Sequence, residues 1–466
     1  MRDPEIVLKG WPANEWNRRG LKVGFWHSDW AARNREKVEF RPETRSVPDS
    51  DYNQHYVDIE SSLKAEISFD SRAAEIGYRP PDGIGRLPLP TGPERLRGAI
   101  ISAAAGDAFA SSCDVVKTYP WYLRGTGVSD SGLVDYLPGT SAGPTWITQM
   151  MAFCAEGLLR ALGGRRNGSL VDPVSAVQHG FQRWLYYMVW DTEDPQTQYE
   201  WRRYGGIYAA DAGEYDQPDG VLAQVVELTV DRRPPLVIVD TLVDFAATGV
   251  RSTTVDPRSE ARGGDVLVRA ALAAVWSEDV SETFDLAVAI AALTHPHPDD
   301  FLAAGAMAVV VHQLIRDQPF RKSLETAYFE VQRRPDHEKT RLMMNRSVIL
   351  AREEKVPAPL QTVQRYFPGL GEDGAEAFGL ALYCAISGDY LREALLLAVN
   401  YASDRCAVAA TAGLLMGAEY GIKAVPKVFR DPLSSVDALD DLAGDLATEL
   451  RDVLTDKEWL RRYPPT

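Results

Sequence analysis

The chain has 466 residues, of which 45% are hydrophobic and 25% charged. This length exceeds what one core usually spans and predicts one large domain with an added module, in a composition ordinary for a soluble globular protein. The formal net charge of −16 argues against general nucleic-acid binding, although arginines clustered in one place would still suit a single small anion.

The cysteines and the apolar runs indicate the compartment. Cys113, Cys154, Cys384 and Cys406 form no CxxC pair, and four cysteines in so long a chain do not resemble a disulfide framework. We expect reduced, mostly buried thiols. The sequence has no basic-then-apolar start and no apolar run long enough to span a bilayer, so it predicts a cytoplasmic protein without a membrane segment.

Residues 1–92 are predicted to form an N-terminal Trp-rich module and its linker. Four of the eleven tryptophans lie in the first thirty residues, at Trp11, Trp16, Trp26 and Trp30. The stretch YVDIESSLKAEISFD alternates weakly, as a strand pair does, and the Pro/Gly-rich RPPDGIGRLPLPTGP cannot continue regular structure. The tryptophans suit either an interaction face or the aromatic anchors of a small core.

From Arg95 onward, apolar residues recur at three- and four-residue spacing in segments such as ITQMMAFCAEGLLRAL, DDFLAAGAMAVVVHQLI and AEAFGLALYCAI. This periodicity predicts an all-α domain over 93–455, followed by a C-terminal tail at 456–466. LAVAIAAL and VAATAGLLMGA are apolar nearly all round, which is typical of central, buried helices. The β-branched run PPLVIVDTLVDF suits either a strand or a helix.

Three segments of this domain resemble the signatures of one known family. RLRGAIISAAAGDAFASSCD is similar to a glycine-rich opening helix that runs into a Gly-Asp-Ala loop, matched at 106–108 around Asp107. TWITQMMAFCAEGLLRA is similar to a Thr-Asp-Asp-Thr signature, with Thr145 and Thr148 in register. REALLLAVNYASDRCAVAATAGLLMGAEYGIKAVP resembles a closing signature that Asn400 and Asp404 match. These are signatures of the ADP-ribosylglycohydrolase family, so the resemblance implies an orthogonal all-α bundle with its active site between helix starts.

The same resemblance implies two magnesium ions, held by two adjacent aspartates of the first signature and two of the last. Those positions read Trp146, Ile147, Asp404 and Cys406, so one aspartate of four remains. Trp and Ile offer no lone pair to Mg²⁺, and a thiolate suits zinc instead. Arg405 adds a positive charge, and like charges about 4 Å apart cost roughly 4 kcal/mol at an effective dielectric of about 20. We therefore predict that the two-magnesium site is lost and that no cofactor is bound.

The residues near these positions form the candidate ligand-binding set. Arg405 suits a bidentate phosphate contact, whereas Asp404 is more simply a helix N-cap. Trp146 and Ile147 suit either an apolar wall for a stacked ring or a metal cavity filled by core side chains. The full set is Thr145, Trp146, Ile147, Thr148, Asp107, Asn400, Arg405, Cys406 and Arg269, the last of which is kept from the family's substrate loop.

Two carboxylates, Asp404 and Asp114, are the candidates for acid–base chemistry without metal. Asp114 falls where the family carries a glutamate that reaches the metal. Asp107 would pair with Asp114 in such a mechanism, but a turn or cap role is the simpler interpretation for a Gly-Asp-Ala loop. Cys406 as a nucleophile lacks any motif that supplies a base. His295 and His297 with Asp299 and Asp300 suit a metal site, but LTHPHPDDFLAAGAMA is similar to a family helix start. We therefore favour a structural role, with Asp299 or Asp300 placed in the first helical turn by the helix dipole.

Three functions follow from this pattern. The first is a degenerate family member that binds ADP-ribose, a related nucleotide or a modified protein without magnesium-dependent hydrolysis. The second is a metal-independent glycosidic-bond enzyme, a hydrolase or transferase with a rebuilt site. The third is an interaction or immunity-type protein that acts through the N-terminal module. We rank them in this order and expect either a small nucleotide-like ligand or a protein partner.

Overall fold

The computed structural model describes residues 90–118, 143–169, 171–188, 218–353, 358, 360–388, 391–425, 427–450 and 457–464. The Trp-rich module predicted at the N-terminus and its alternating stretch lie outside the described residues. Within the described ranges the regular secondary structure is helical throughout. The prediction of an all-α domain is therefore confirmed.

The α-helices of these ranges are α1 (Gly92–Thr118), α2 (Trp146–Arg166), α3 (Pro173–Met188), α4 (Val226–Thr229), α5 (Leu236–Thr248), α6 (Val266–Ala270), α7 (Val280–Ala292), α8 (Pro298–Leu314), α9 (Phe320–Gln332), α10 (Glu338–Glu353), α11 (Leu360–Tyr366), α12 (Gly374–Ser387), α13 (Leu391–Tyr401), α14 (Arg405–Tyr420), α15 (Lys427–Arg430), α16 (Val436–Glu449) and α17 (Lys457–Arg462). Short 3₁₀ turns lie at Leu222–Gln224, Ala271–Val275 and Ile422–Ala424. Among these helices, none is both long and apolar enough to cross a bilayer.

Helices α1 and α14 pack against each other through small residues at the centre of the fold. A Cβ atom added to Gly417 would lie 2.1 Å from the carbonyl oxygen of Gly98, and one added to Gly106 would lie 2.2 Å from that of Ala409. Gly413 meets α1 in the same way. Because any larger side chain would push the backbones apart, these glycines set the distance between the helices.

The segments predicted to be central are buried. Every residue from Ala407 to Ala418 of α14 is buried, and α7 buries Phe284, Ala287 and Ile290. The β-branched run PPLVIVDTLVDF forms helix α5, with Pro235 before its first turn and Gly249 in the left-handed conformation after its last. Because its apolar residues at helical spacing cover one face, this segment forms a helix rather than a strand.

Candidate functional site

Helices α2, α6, α8, α12 and α14 begin close to one another, and we call their first turns the helix-start face. Gly264, just before α6, packs against Ala377 of α12 and Ala407 of α14. The N–H of Gly374 at the start of α12 donates to Asp300 of α8 over 2.7 Å. Gly106 of α1, next to Asp107, packs against the backbone of Ala409 in the second turn of α14. Sequence segments far apart along the chain thus meet at one place.

Asp107 of α1 holds the start of α2. Its carboxylate accepts four hydrogen bonds, from the N–H and the hydroxyl of Thr145 over 2.9 and 2.7 Å and from those of Thr148 over 3.3 and 2.6 Å. The side chain is fully buried. Burial raises the pKa of Asp107 above its ordinary value, against these hydrogen bonds, which favour the ionised form.

The prediction of a loop at 106–108 is wrong, because α1 continues through these residues to Thr118. Alanines on both sides favour helix, and burial against α14 leaves no need for a turn. Asp107 therefore stabilises a neighbouring helix from within its own helix. The backbone of Asp114 belongs to the same helix, and its side chain lies outside the described residues.

At the start of α2, Thr145 is the N-cap and its hydroxyl accepts from the N–H of Ile147. The side chain of Ile147 is 3% exposed and belongs to the core. Trp146 is partly buried and packs against that core. Of these two neighbouring residues, Trp146 is the more exposed.

At the start of α14, Asp404 is the N-cap, and its carboxylate accepts from the N–H of Ala407 over 3.0 Å. The Nε of Arg405 donates to the carbonyl of Val399 over 2.9 Å. The amide of Asn400 donates to a carbonyl of its own helix, α13. Cys406 is partly buried. Asp404, Arg405 and Cys406 thus lie at the start of α14, and Asn400 lies in the last turn of α13.

Arg269 lies in the core rather than at an open surface. Its guanidinium donates to Asp265 over 3.2 Å and to the hydroxyl of Thr294 over 2.7 Å, and all of these groups are buried. His295 contacts the other oxygen of Asp265 through Nε2 at 3.2 Å. Burial would raise the pKa of Asp265, but His295 and Arg269 outweigh it and hold the pKa below its ordinary value.

Sequence reasoning missed an ionic network that joins the starts of α8, α10 and α12. Lys339 lies 3.1 Å from a carboxylate oxygen of Asp299 and 2.5 Å from one of Asp373. Arg262 lies 2.8 Å from Asp300, whose pKa is raised by burial. The sequence predicted that the helix dipole favours Asp299 or Asp300 in the first turn of α8. It did not predict their basic partners, which lie about 40 residues away along the chain.

The described part of the chain contains no group of three or more His, Cys, Asp or Glu residues placed to hold a metal ion. A surface pocket of about 370 Å³ lies elsewhere, at the start of α1 between Gly92, Arg316 and Leu450. The guanidinium of Arg316 is already occupied by three backbone carbonyls and by Glu278. This pocket therefore offers no unpaired charge to a ligand.

The signatures and the helix-start face define a class of protein, the ADP-ribosylglycohydrolases. The sequence model of that family matches residues 89–454, and the chain belongs to this family. Among solved structures, the chain is similar to one described as an ADP-ribosylglycohydrolase-related protein complex, with 21% identity and a TM-score of 0.47. That match covers 77% of this chain and 99% of the other. No curated protein matches this chain.

Proposed function

We propose that this chain binds ADP-ribose, a related nucleotide or an ADP-ribosylated protein, without magnesium-dependent hydrolysis. Membership of the ADP-ribosylglycohydrolase family supports the ligand class. The single observation that carries the proposal is the set of side chains at the four positions where the family places metal-binding aspartates, namely Trp146, Ile147, Asp404 and Cys406.

These four side chains do not fit a pair of magnesium ions. Mg²⁺ demands oxygen ligands in near-octahedral geometry, and two adjacent ions need carboxylates that bridge them. Ile147 is buried in the core, and Trp146 offers an aromatic ring. One carboxylate oxygen of Asp404 is engaged by the N–H of Ala407, while Arg405 places a cation next to it. An aromatic and cationic surface of this kind suits a flat base or a phosphate instead.

The metal-independent enzyme would need two carboxylates that face one pocket. Asp107 is buried and saturated by four donors, and Asp404 caps its own helix. No observation on the described residues therefore favours this alternative over ligand binding. The alternative that rests on the N-terminal module falls outside the described residues.

Isothermal titration calorimetry with ADP-ribose tests the proposal directly. We expect the full-length protein to bind with the same affinity in the presence of magnesium and in excess chelator, because no metal bridges the ligand and the protein. A second assay follows release of ADP-ribose from an ADP-ribosylated peptide, and we expect none above the uncatalysed rate. Binding that appears only with magnesium, or magnesium-dependent release, would contradict the proposal.

A further inference from the structure

The turn between α4 and α5 places two arginines beside the start of α2. Arg232 and Arg233 are both exposed. A Cβ atom added to Gly143 would lie 2.4 Å from Nη2 of Arg232 and 2.9 Å from its Cζ. The guanidinium therefore lies against the backbone of Gly143, three residues before Trp146. Arg232 belongs to the edge of the helix-start face.

The backbone that carries these arginines is fixed. Gln149 of α2 is buried, accepts from the indole N–H of Trp184 over 3.1 Å and donates to the carbonyl of Val230 over 2.8 Å. Arg233 has a φ of 54°, a conformation uncommon outside glycine, and its N–H donates to Asp231 over 2.7 Å. Two prolines follow at 234 and 235 and restrict the chain further. The arginines are thus presented from a preorganised turn.

These two cations differ from the other basic groups near the helix-start face. Arg262, Arg269 and Lys339 each pair with carboxylates of the protein. Over the described residues, neither Arg232 nor Arg233 forms an ion pair. In a chain with a net charge of −16, two adjacent unpaired guanidinium groups are a local exception. A guanidinium presents parallel N–H donors that match the oxygens of a phosphate.

Apolar side chains are also exposed in this part of the chain. Val230 of the turn is 41% exposed, and the first residues of α4 and α5, Val226 and Leu236, are 71% and 74% exposed. A ligand that combines an anionic group with a flat, weakly polar ring complements a surface of this composition. Nucleotides with a diphosphate have both parts.

We propose that Arg232, with Arg233 beside it, binds the diphosphate of a nucleotide-like ligand at the edge of the helix-start face. This inference rests on the proposed function and names the part of the ligand that the chain recognises by charge. Arg232 supplies the bidentate donor next to α2, and Arg233 adds a second positive charge from the fixed turn.

Calorimetry with two probes, ADP-ribose and inorganic pyrophosphate, tests this assignment on the full chain. We expect Arg232→Gln to weaken both affinities about tenfold, since a charge-assisted hydrogen bond is lost. Arg232→Lys keeps the charge and should lose less. Arg461→Gln removes an exposed charge from α17, far along the chain, and should leave both affinities unchanged. Because Arg232 is exposed, its variants should unfold at the wild-type urea concentration.

The outcomes separate the inference from the proposed function. Equal ADP-ribose binding by the wild type and Arg232→Gln overturns the inference and leaves the proposed function standing. If the wild type does not bind ADP-ribose, the proposed function fails. The inference then stands only if pyrophosphate binds the wild type about tenfold more tightly than Arg232→Gln, and it falls if pyrophosphate binds both equally or neither.

Discussion

Replacing Asp107 by alanine removes the buried carboxylate that holds the start of α2. The change leaves four donors of Thr145 and Thr148 without this acceptor. The two hydroxyls can turn to other acceptors, but the two backbone N–H groups are fixed by the helix. A buried donor left unsatisfied costs about 1–3 kcal/mol, so the two amides cost roughly 2–6 kcal/mol. Release of a desolvated carboxylate offsets part of this, and we expect a net loss of about 3 kcal/mol.

Urea unfolding followed by circular dichroism measures this loss, and Asp404→Ala is the matched control. Asp404 is also a helix-capping aspartate, but it is partly exposed at the surface, and its carboxylate caps α14 by accepting from the N–H of Ala407. Its removal should cost about 1 kcal/mol. Asp107→Asn can still accept from the backbone donors through its amide oxygen, so its stability should lie between those of the wild type and Asp107→Ala. A loss for Asp107→Ala no larger than that for Asp404→Ala would refute the reasoning.

Three further changes follow from the packing and the charges, each measured by the free energy of unfolding in urea. Gly417→Ala places a methyl group 2.1 Å from the carbonyl oxygen of Gly98 and should lower the free energy of unfolding by about 1–3 kcal/mol. The control Gly444→Ala meets nothing within 4 Å and should raise it by about 0.5–1 kcal/mol. Equal effects of the two changes would contradict the packing argument. The pKa of Asp265 is lowered in the folded state from 3.8, so its stabilisation is present above that pH and is lost below it. The free energy of unfolding that Asp265→Asn loses relative to the wild type should therefore be constant above about pH 5 and become smaller on further acidification. A loss that grows on acidification would contradict the direction of the pKa shift. Tyr463→Phe removes a 2.6 Å hydrogen bond to a carboxylate of α16 and should cost about 2 kcal/mol, and no loss would show that the C-terminal segment is not anchored by it.

The sequence predicted the helices well where periodicity was strong. AEAFGLALYCAI lies within α12, and ITQMMAFCAEGLLRAL lies within α2. Both segments carry apolar residues at helical spacing over three or more turns, so their pattern suffices without knowledge of their neighbours. The apolar segment VAATAGLLMGA was expected to be a buried helix, but the sequence did not predict that Gly417 of this helix meets Gly98 of α1.

The sequence failed where the deciding partner lies far along the chain. Asp107 was expected to be a turn or cap residue of its own Gly-Asp-Ala segment, whereas it accepts from Thr145 at the start of another helix, 38 residues away. The bond between Lys339 and Asp299 was not predicted either, because these residues are 40 positions apart in the sequence. Arg269 looked like a ligand residue because the resemblance placed it in the substrate loop, whereas the fold buries it against Asp265. Local spacing carries no signal for such contacts, which depend on how the helices pack.

The buried carboxylates at the helix-start face are stabilised by protein groups. Carboxylates grouped around an absent cation would repel one another. Here each buried carboxylate is compensated by other means: Asp107 by the donors of α2, Asp300 by the N–H of Gly374 and by Arg262. The N-terminal ends of the helices supply positive potential, and the aspartates that remain are placed to use it. At the start of α2, Ile147 belongs to the hydrophobic core and Trp146 packs against it. The charges and the packing of these helix starts are thus balanced by groups of the protein itself.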